Sequence, residues 1–217
     1  MKKIISFSLW GDNPKYTIGA IKNAELIKKI YPDWVGRFYC GKSVPLDIIK
    51  QLKSFDNIEV VEMEEYGDWS GMFWRFYACE DGDVMISRDT DSRLSVREKL
   101  AVDEWLSSDK NFHIMRDHPF HQTEILGGMW GCRNGILKNI SNLINEYSKG
   151  NYWQVDQNFL KEKIYPIVKN DLFVHDSFLN YNEGKRPFPS ERINKEFVGD
   201  VFDQYNNRHP DYFKLMM

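Results

Sequence analysis

The chain is poor in several features that would assign it quickly. It has only three cysteines in 217 residues, Cys40, Cys79 and Cys132, far apart and without metal-site spacing. They read as small core residues of a protein from a reducing, cytosolic setting. Positive charge is not in surplus: the formal net charge is −3, which argues against nucleic acid as the main partner. Long apolar runs are missing too. The segment MKKIISFSLWGDNP begins one, but Ser6 and Ser8 break it and Gly11 and Pro14 stop it. It makes a poor signal peptide and is too short for a transmembrane segment. No glycine-rich phosphate loop lies near the N-terminus, and there is no internal repeat, low-complexity tract or linker.

What is present is core-forming material. A hydrophobic content of 42% and an aromatic content of 15% support one good core, so residues 1–217 read as a single domain, either a whole protein or one domain of a longer one. Strand and helix patterns alternate along it. Lys3–Leu9 (KIISFSL) predicts a strand; Asn13 as N-cap with Pro14 at the first helical position opens a helix whose period is kept by Ile18, Ile21, Ile27 and Ile30. Residues 37–40 predict a second strand. Pro45 opens a helix with Ile48, Ile49, Leu52 and Phe55 on its apolar side, and 58–63 is a third strand. Residues 70–79 (SGMFWRFYAC) form a short aromatic helix before a strand ending at Ser87. A helix over 94–106, strands over 111–115 and 126–132, and helices over 136–147 and 155–164 follow, with an irregular remainder from Val168. Such alternation predicts an α/β fold with a mostly parallel central sheet flanked by helices.

The stretch VMISRDTDSRL, residues 84–94, carries the chemistry. A buried-strand pattern ends at Asp89 and Asp91, flanked by Arg88 and Arg93. In open parallel sheets ligands bind beyond the carboxyl ends of strands. Carboxylates at i and i+2 of an extended segment point the same way. Hard oxygen donors in that arrangement suit Mg²⁺ or Mn²⁺, which keep positions open for phosphate oxygens. The same residues would also serve as an ordinary solvated turn after a strand.

VMISRDTDSR resembles the D-x-D motif of GT-A-fold, nucleotide-sugar-dependent glycosyltransferases. The block SGMFWRFYACEDGDVMISRDTDSR is similar to their helix carrying an arginine, a turn, and the strand leading to D-x-D. The resemblance implies that Arg75 is that arginine and that ISFSLWG, with Ser6, Ser8, Leu9 and Trp10, lines the nucleotide pocket. LGGMWGCRNG resembles the glycine-containing acceptor-side strand, and YWQVDQNFL the acidic helix start that follows it. The tail RPFPSERINKEFVGDVF is similar to tails of small glycosyltransferases of bacteria and chlorella viruses. Arg88 departs from many of these sequences, where an apolar or aromatic residue precedes the first aspartate.

The resemblance also implies a late histidine in the metal shell, which makes His175 the candidate; a surface or capping histidine is the alternative. Asp156, near a helix N-terminus that favours its ionised form, is the candidate catalytic base of an inverting enzyme. The alternatives are a plain N-cap or first-turn aspartate, or a donor-sugar contact in a retaining enzyme, since the Asp-Gln pair in VDQNFL also resembles retaining relatives. Asp117 and His118 are candidates for sugar contact. Gly127, Gly128 and Gly131 either admit an acceptor to the backbone or relieve packing. Phe73, Trp74, Phe76 and Tyr77 read as core, and Trp130 and Trp153 as sugar platforms. Lys185, Arg186 and Arg192 either close over a diphosphate or form a solvated basic surface.

Together these residues predict a single GT-A-type, Rossmann-like domain that moves a sugar from a UDP-sugar to a glycan or glycoprotein acceptor. Asp89 and Asp91 would hold Mn²⁺ or Mg²⁺, with Arg88 or Arg93 orienting them or reaching the donor sugar. The expected site of action is the cytoplasm, the host's if the gene is viral. A metal-dependent nucleotidyltransferase and a non-catalytic carbohydrate- or metal-binding module are the other classes.

Overall fold

A computed structural model describes residues 1–147 and 150–216. The described residues build a seven-stranded sheet from β1 (Lys3–Leu9), β2 (Val35–Cys40), β3 (Ile58–Glu62), β4 (Val84–Ser87), β5 (Phe112–Arg116), β6 (Trp130–Arg133) and β7 (Leu172–Asp176), in the order β3-β2-β1-β4-β6-β5-β7. All neighbouring pairs run parallel except those made by β6, which is antiparallel to both β4 and β5. The chain leaves β1 toward β2 and β3, then returns to place β4 on the other side of β1. That reversal opens a crevice beyond the ends of β1 and β4.

Period-two alternation sends the two faces of β1 into different cores. Ile5, Phe7 and Leu9 pack with Ala20, Ile21, Ala24 and Ile27 of helix α1 (Pro14–Ile30). Ile4 joins the opposite core, where Phe73 and Phe76 meet Trp130 and Phe159. Ser6 and Ser8, which interrupt the apolar run, lie on this second face and are tie points. Ser6 Oγ donates to the Arg75 carbonyl at 2.6 Å, and the Arg75 N–H donates to Ser8 Oγ at 3.0 Å. They fasten β1 to the aromatic helix, which is a 3-10 helix over Trp69–Glu80 capped by the Asp68 side chain. Helix α1 begins as predicted, with Asn13 Oδ1 accepting from the Lys15 N–H. Helices α2 (Leu46–Lys53) and α3 (Val96–Leu106) also fall within the predicted segments.

Three expectations need correction. The strand predicted over 126–132 starts only at Trp130, because residues 127 and 128 turn against the side chains of Asp89, Arg75 and Asp156. The helix predicted over 136–147 is regular only in α4 (Ile140–Glu146), and the next segment is α5 (Val155–Phe159), a π-helical turn (Leu160–Ile164) and α6 (Tyr165–Val168). Pro166 has no N–H and its ring crowds the preceding turn, which the wider π turn accommodates. The region after Val168 is not wholly irregular. LFVHD forms the buried edge strand β7, parallel to β5, and α7 spans Pro210–Lys214. Five residues between polar, turn-forming flanks carry too little periodicity to mark a strand.

Candidate functional site

A cavity of about 1080 Å³ occupies the crevice beyond β1 and β4. It is lined by residues 8–13 at and beyond the end of β1, by Asp89, Thr90 and Asp91 after β4, by Arg75, and by Trp153 to Asn158 except Val155. Segments far apart in sequence therefore converge on the D-x-D turn.

The turn is held from beneath. Asn23, buried in the middle of α1, donates to the carbonyls of Thr90 (3.3 Å) and Ser92 (2.9 Å) and accepts from the Leu94 N–H. Gly19 lets α1 approach closely: a Cβ there would stand 2.1 Å from the Thr90 oxygen. Arg93 fastens the far side, donating to the carbonyls of Thr90, Ser92 and Asp203, so it holds the tail on the turn, and it does not line the cavity.

Each aspartate of the motif has a cation. Arg75 Nη1 pairs with Asp89 Oδ1, and Arg75 Nη2 donates to Asp156 Oδ2 at 2.7 Å. Lys15 Nζ lies 2.7 Å from Asp91 Oδ2. Asp89 is nearly half exposed to the cavity, while Asp156 is 1% exposed at its floor. Burial raises the Asp156 carboxyl above the usual range; Arg75 opposes the rise and the Asp89 charge adds to it. Burial and then the Asp89 charge raise Asp91, with Lys15 acting against them. Burial pulls Lys15 down, but the charge and hydrogen bond of Asp91 outweigh it and lift the amine above its ordinary value.

Gly127 and Gly128 belong to this cluster. A Cβ on Gly127 would lie 2.2 Å from Asp156 Oδ2, and one on Gly128 would lie 2.0 Å from Asp89 Oδ2. Their hydrogens make room for the carboxylates, and Ser87 Oγ secures the loop by donating to the Gly127 carbonyl.

The donor set fits a divalent cation of the Mg²⁺ type. Among the described residues no group of three histidine, cysteine or carboxylate side chains gathers to cage a metal. Asp89 and Asp91 offer two hard carboxylates on an open cavity wall, and Mg²⁺ is usually bound by one or two carboxylates plus water and substrate phosphates.

Several predicted residues lie elsewhere. His175 is inside β7, with Nδ1 2.9 Å from His113 Nε2 and Nε2 3.1 Å from Glu104, and it does not line the cavity. Arg88 follows Ser87 onto the opposite face of the sheet, where it pairs with Glu98 at 2.7 Å and donates to the Ser87 and Trp130 carbonyls. Ser6 is fully buried and acts through Arg75 rather than on the cavity, whereas Ser8, Leu9 and Trp10 line it. Trp130 is core, stacked on Phe112, while Trp153 is 66% exposed at the rim. Asp117 is buried against Arg97 and Arg192; His118 reaches the cavity. Lys185, Arg186 and Arg192 line a separate depression with Arg97 and Phe188. Phe73, Trp74 and Phe76 are buried as expected.

Lys15, Asn23, Phe120 and the tail residues Val201, His209 and Tyr212 escaped the sequence reading. Lys15 had left a signal. A lysine in the first turn of a helix opposes the helix dipole by a fraction of a kcal/mol, a cost that a nearby carboxylate offsets.

No protein-family model matches the chain, and no curated protein matches it in sequence. In structure the fold is that of the GT-A glycosyltransferases. A glycosyltransferase involved in glycosylating the major capsid of PBCV-1 superposes with a TM-score of 0.55 at 15% identity, over 81% of this chain and 82% of that one. TarS of S. aureus (residues 1–349, with UDP-GlcNAc) gives 0.56 at 14%, over 90% and 63%. The mannosyltransferase PcManGT of Pyrobaculum calidifontis, in complex with GDP-Man and Mn²⁺, gives 0.54 at 11%, over 82% and 55%. The chain thus spans under two thirds of the latter two.

Proposed function

We propose that residues 1–217 form one metal-dependent glycosyltransferase domain that moves a sugar from a nucleotide donor, UDP-linked, to a glycan or glycoprotein acceptor. The observation that carries this reading is the convergence of the β1 end, the D-x-D turn and Asp156 on one cavity at the point where the strand order reverses. Similar folds that hold UDP-GlcNAc, or GDP-Man with Mn²⁺, support it.

In this mechanism the nucleotide lies along residues 8–13, against Trp10. Asp89 and Asp91 would hold Mn²⁺ or Mg²⁺, which when bound would neutralise charge on the leaving diphosphate. Arg75 keeps Asp89 and Asp156 at fixed separation through two ion pairs on a backbone anchored by Ser6 and Ser8. Asp156 takes the proton of the acceptor hydroxyl, its basicity raised by burial, and the anomeric centre is inverted. The acceptor enters past the exposed aromatics Trp153 and Phe120. Three buried free thiols suit a cytoplasmic enzyme.

Thermal unfolding with a panel of nucleotide sugars, with and without Mn²⁺, tests the reading, since a ligand of the folded state raises apparent stability. Metal-dependent stabilisation by a UDP-sugar, with release of UDP on incubation with acceptor, is the expected result. Release of pyrophosphate would point to a nucleotidyltransferase, and no nucleotide dependence to a binding module.

A further inference from the structure

Lys15 carries an inference that rests on the metal-dependent reading above. Three carboxylates, Asp89, Asp91 and Asp156, meet two cations, Arg75 and Lys15. The cations differ in their freedom to leave. Arg75 is 4% exposed, grips two carboxylates, and has its backbone fixed by two serines. Lys15 has one carboxylate partner, Asp91 Oδ2 at 2.7 Å, and its side chain is 32% exposed on the cavity wall. The ammonium lies 5.2 Å from the Tyr16 ring, on the same wall. That cation–π contact is made while Asp91 is paired, so the ring holds the ammonium at the cavity wall independently of the carboxylate.

We propose that Lys15 is the resident counter-ion of Asp91, that a divalent cation displaces it, and that the freed ammonium then binds the diphosphate of the nucleotide. Charge accounts for the exchange. A divalent cation on Asp89 and Asp91 makes the Lys15 contact redundant and leaves a surplus positive charge beside the cavity. A nucleoside diphosphate supplies negative charge to meet it. Metal alone has to compete with Lys15 and binds weakly, and nucleotide alone finds both cations already engaged by carboxylates. The two ligands together leave no cation of the cluster without an anionic partner. Lys15 is in this sense a positioning residue that couples the two binding events.

Binding of Mn²⁺, followed by the EPR signal of the free ion with and without UDP, tests this on the full chain, Lys15→Met and Lys15→Arg. Lys15→Met is expected to take up Mn²⁺ alone about fivefold more tightly, the loss of one competing ion pair. The enhancement of Mn²⁺ binding by UDP should fall by a similar factor, and by reciprocity so should the enhancement of UDP binding by Mn²⁺. Lys15→Arg should behave as the parent does. Unchanged melting of the variants in the absence of ligand checks the fold. Mn²⁺ affinity of Lys15→Met equal to or below the parent's, or undiminished coupling to UDP, overturns the exchange. Absence of UDP-dependent Mn²⁺ binding in the parent overturns the functional reading itself, however the variants behave.

Discussion

Arg75 Nη2 stands 2.7 Å from Asp156 Oδ2 while Nη1 of the same guanidinium pairs with Asp89. One buried arginine thus joins the D-x-D turn to the start of α5. Its position follows from two serines on β1, so the distance between two carboxylates of the cavity is set by the first strand of the sheet.

Removing that arginine should cost stability as well as binding. Arg75→Met leaves Asp156 buried without its cation, and breaking a buried pair from one side costs about 3–5 kcal/mol. Urea unfolding at pH 7 is the measurement. An unchanged midpoint would show that Asp156 takes up a proton or finds water instead.

The glycines of the loop before β6 should separate geometry from packing. Gly128→Ala drives a methyl group toward Asp89 Oδ2 and is expected to lower sugar transfer roughly 100-fold, the scale of a 1 Å displacement of catalytic groups. Gly131→Ala meets Ile86 and Trp105 and should reduce stability while sparing Mn²⁺–UDP affinity. Equal effects of both on that affinity would contradict the placement of Gly128.

Asp156→Asn should keep donor binding and lose about 10²–10⁴-fold in transfer if Asp156 is the base. Product stereochemistry by NMR gives the sharper answer. A product that keeps the donor's anomeric configuration excludes the base role and points to donor-sugar binding by Asp156.

Acid should weaken the fold through the buried histidines of β5 and β7. Burial holds His113 well below its ordinary value, with His175 and Arg88 adding to the effect, and burial also lowers His175 although Glu104 opposes it. The unfolded chain binds protons there below about pH 6.5 and the folded chain does not, so stability is complete above that pH and falls beneath it. Each such group contributes a slope of up to about 1.4 kcal/mol per pH unit. His113→Phe, which retains a ring against Trp105, should flatten the slope of unfolding free energy between pH 7 and 5 by about one proton. An identical slope in the variant would assign the acid sensitivity to the carboxylates.

Parts of this molecule were legible in sequence because they depend on neighbours along the chain. Period-two and helical spacing gave β1 to β4 and α1 to α3, and the Asn13–Pro14 cap marked the start of α1. The alternating Ser6 and Ser8 and the D-x-D after a buried run could be read because side-chain direction within a strand is periodic. Short or bent elements were less readable. β7 has five residues, and the π turn before Pro166 has no periodic signature.

Residue chemistry alone determined that two carboxylates stand at a strand end and that Asp156 opens a helix. Which polar side chains share the cavity was decided by tertiary structure. Arg88 and Asp89 are adjacent in the chain, yet the pleat sends Arg88 to Glu98 beneath α3 and leaves Asp89 on the cavity. His175 had suitable chemistry for a metal, but the pairing of β7 with β5 buries it against His113. Lys15 and Asp91 meet because α1, relieved of a side chain at Gly19, packs directly on the turn after β4. Such meetings depend on strand order and on close backbone approach, and neither is written in the spacing of residues along one segment.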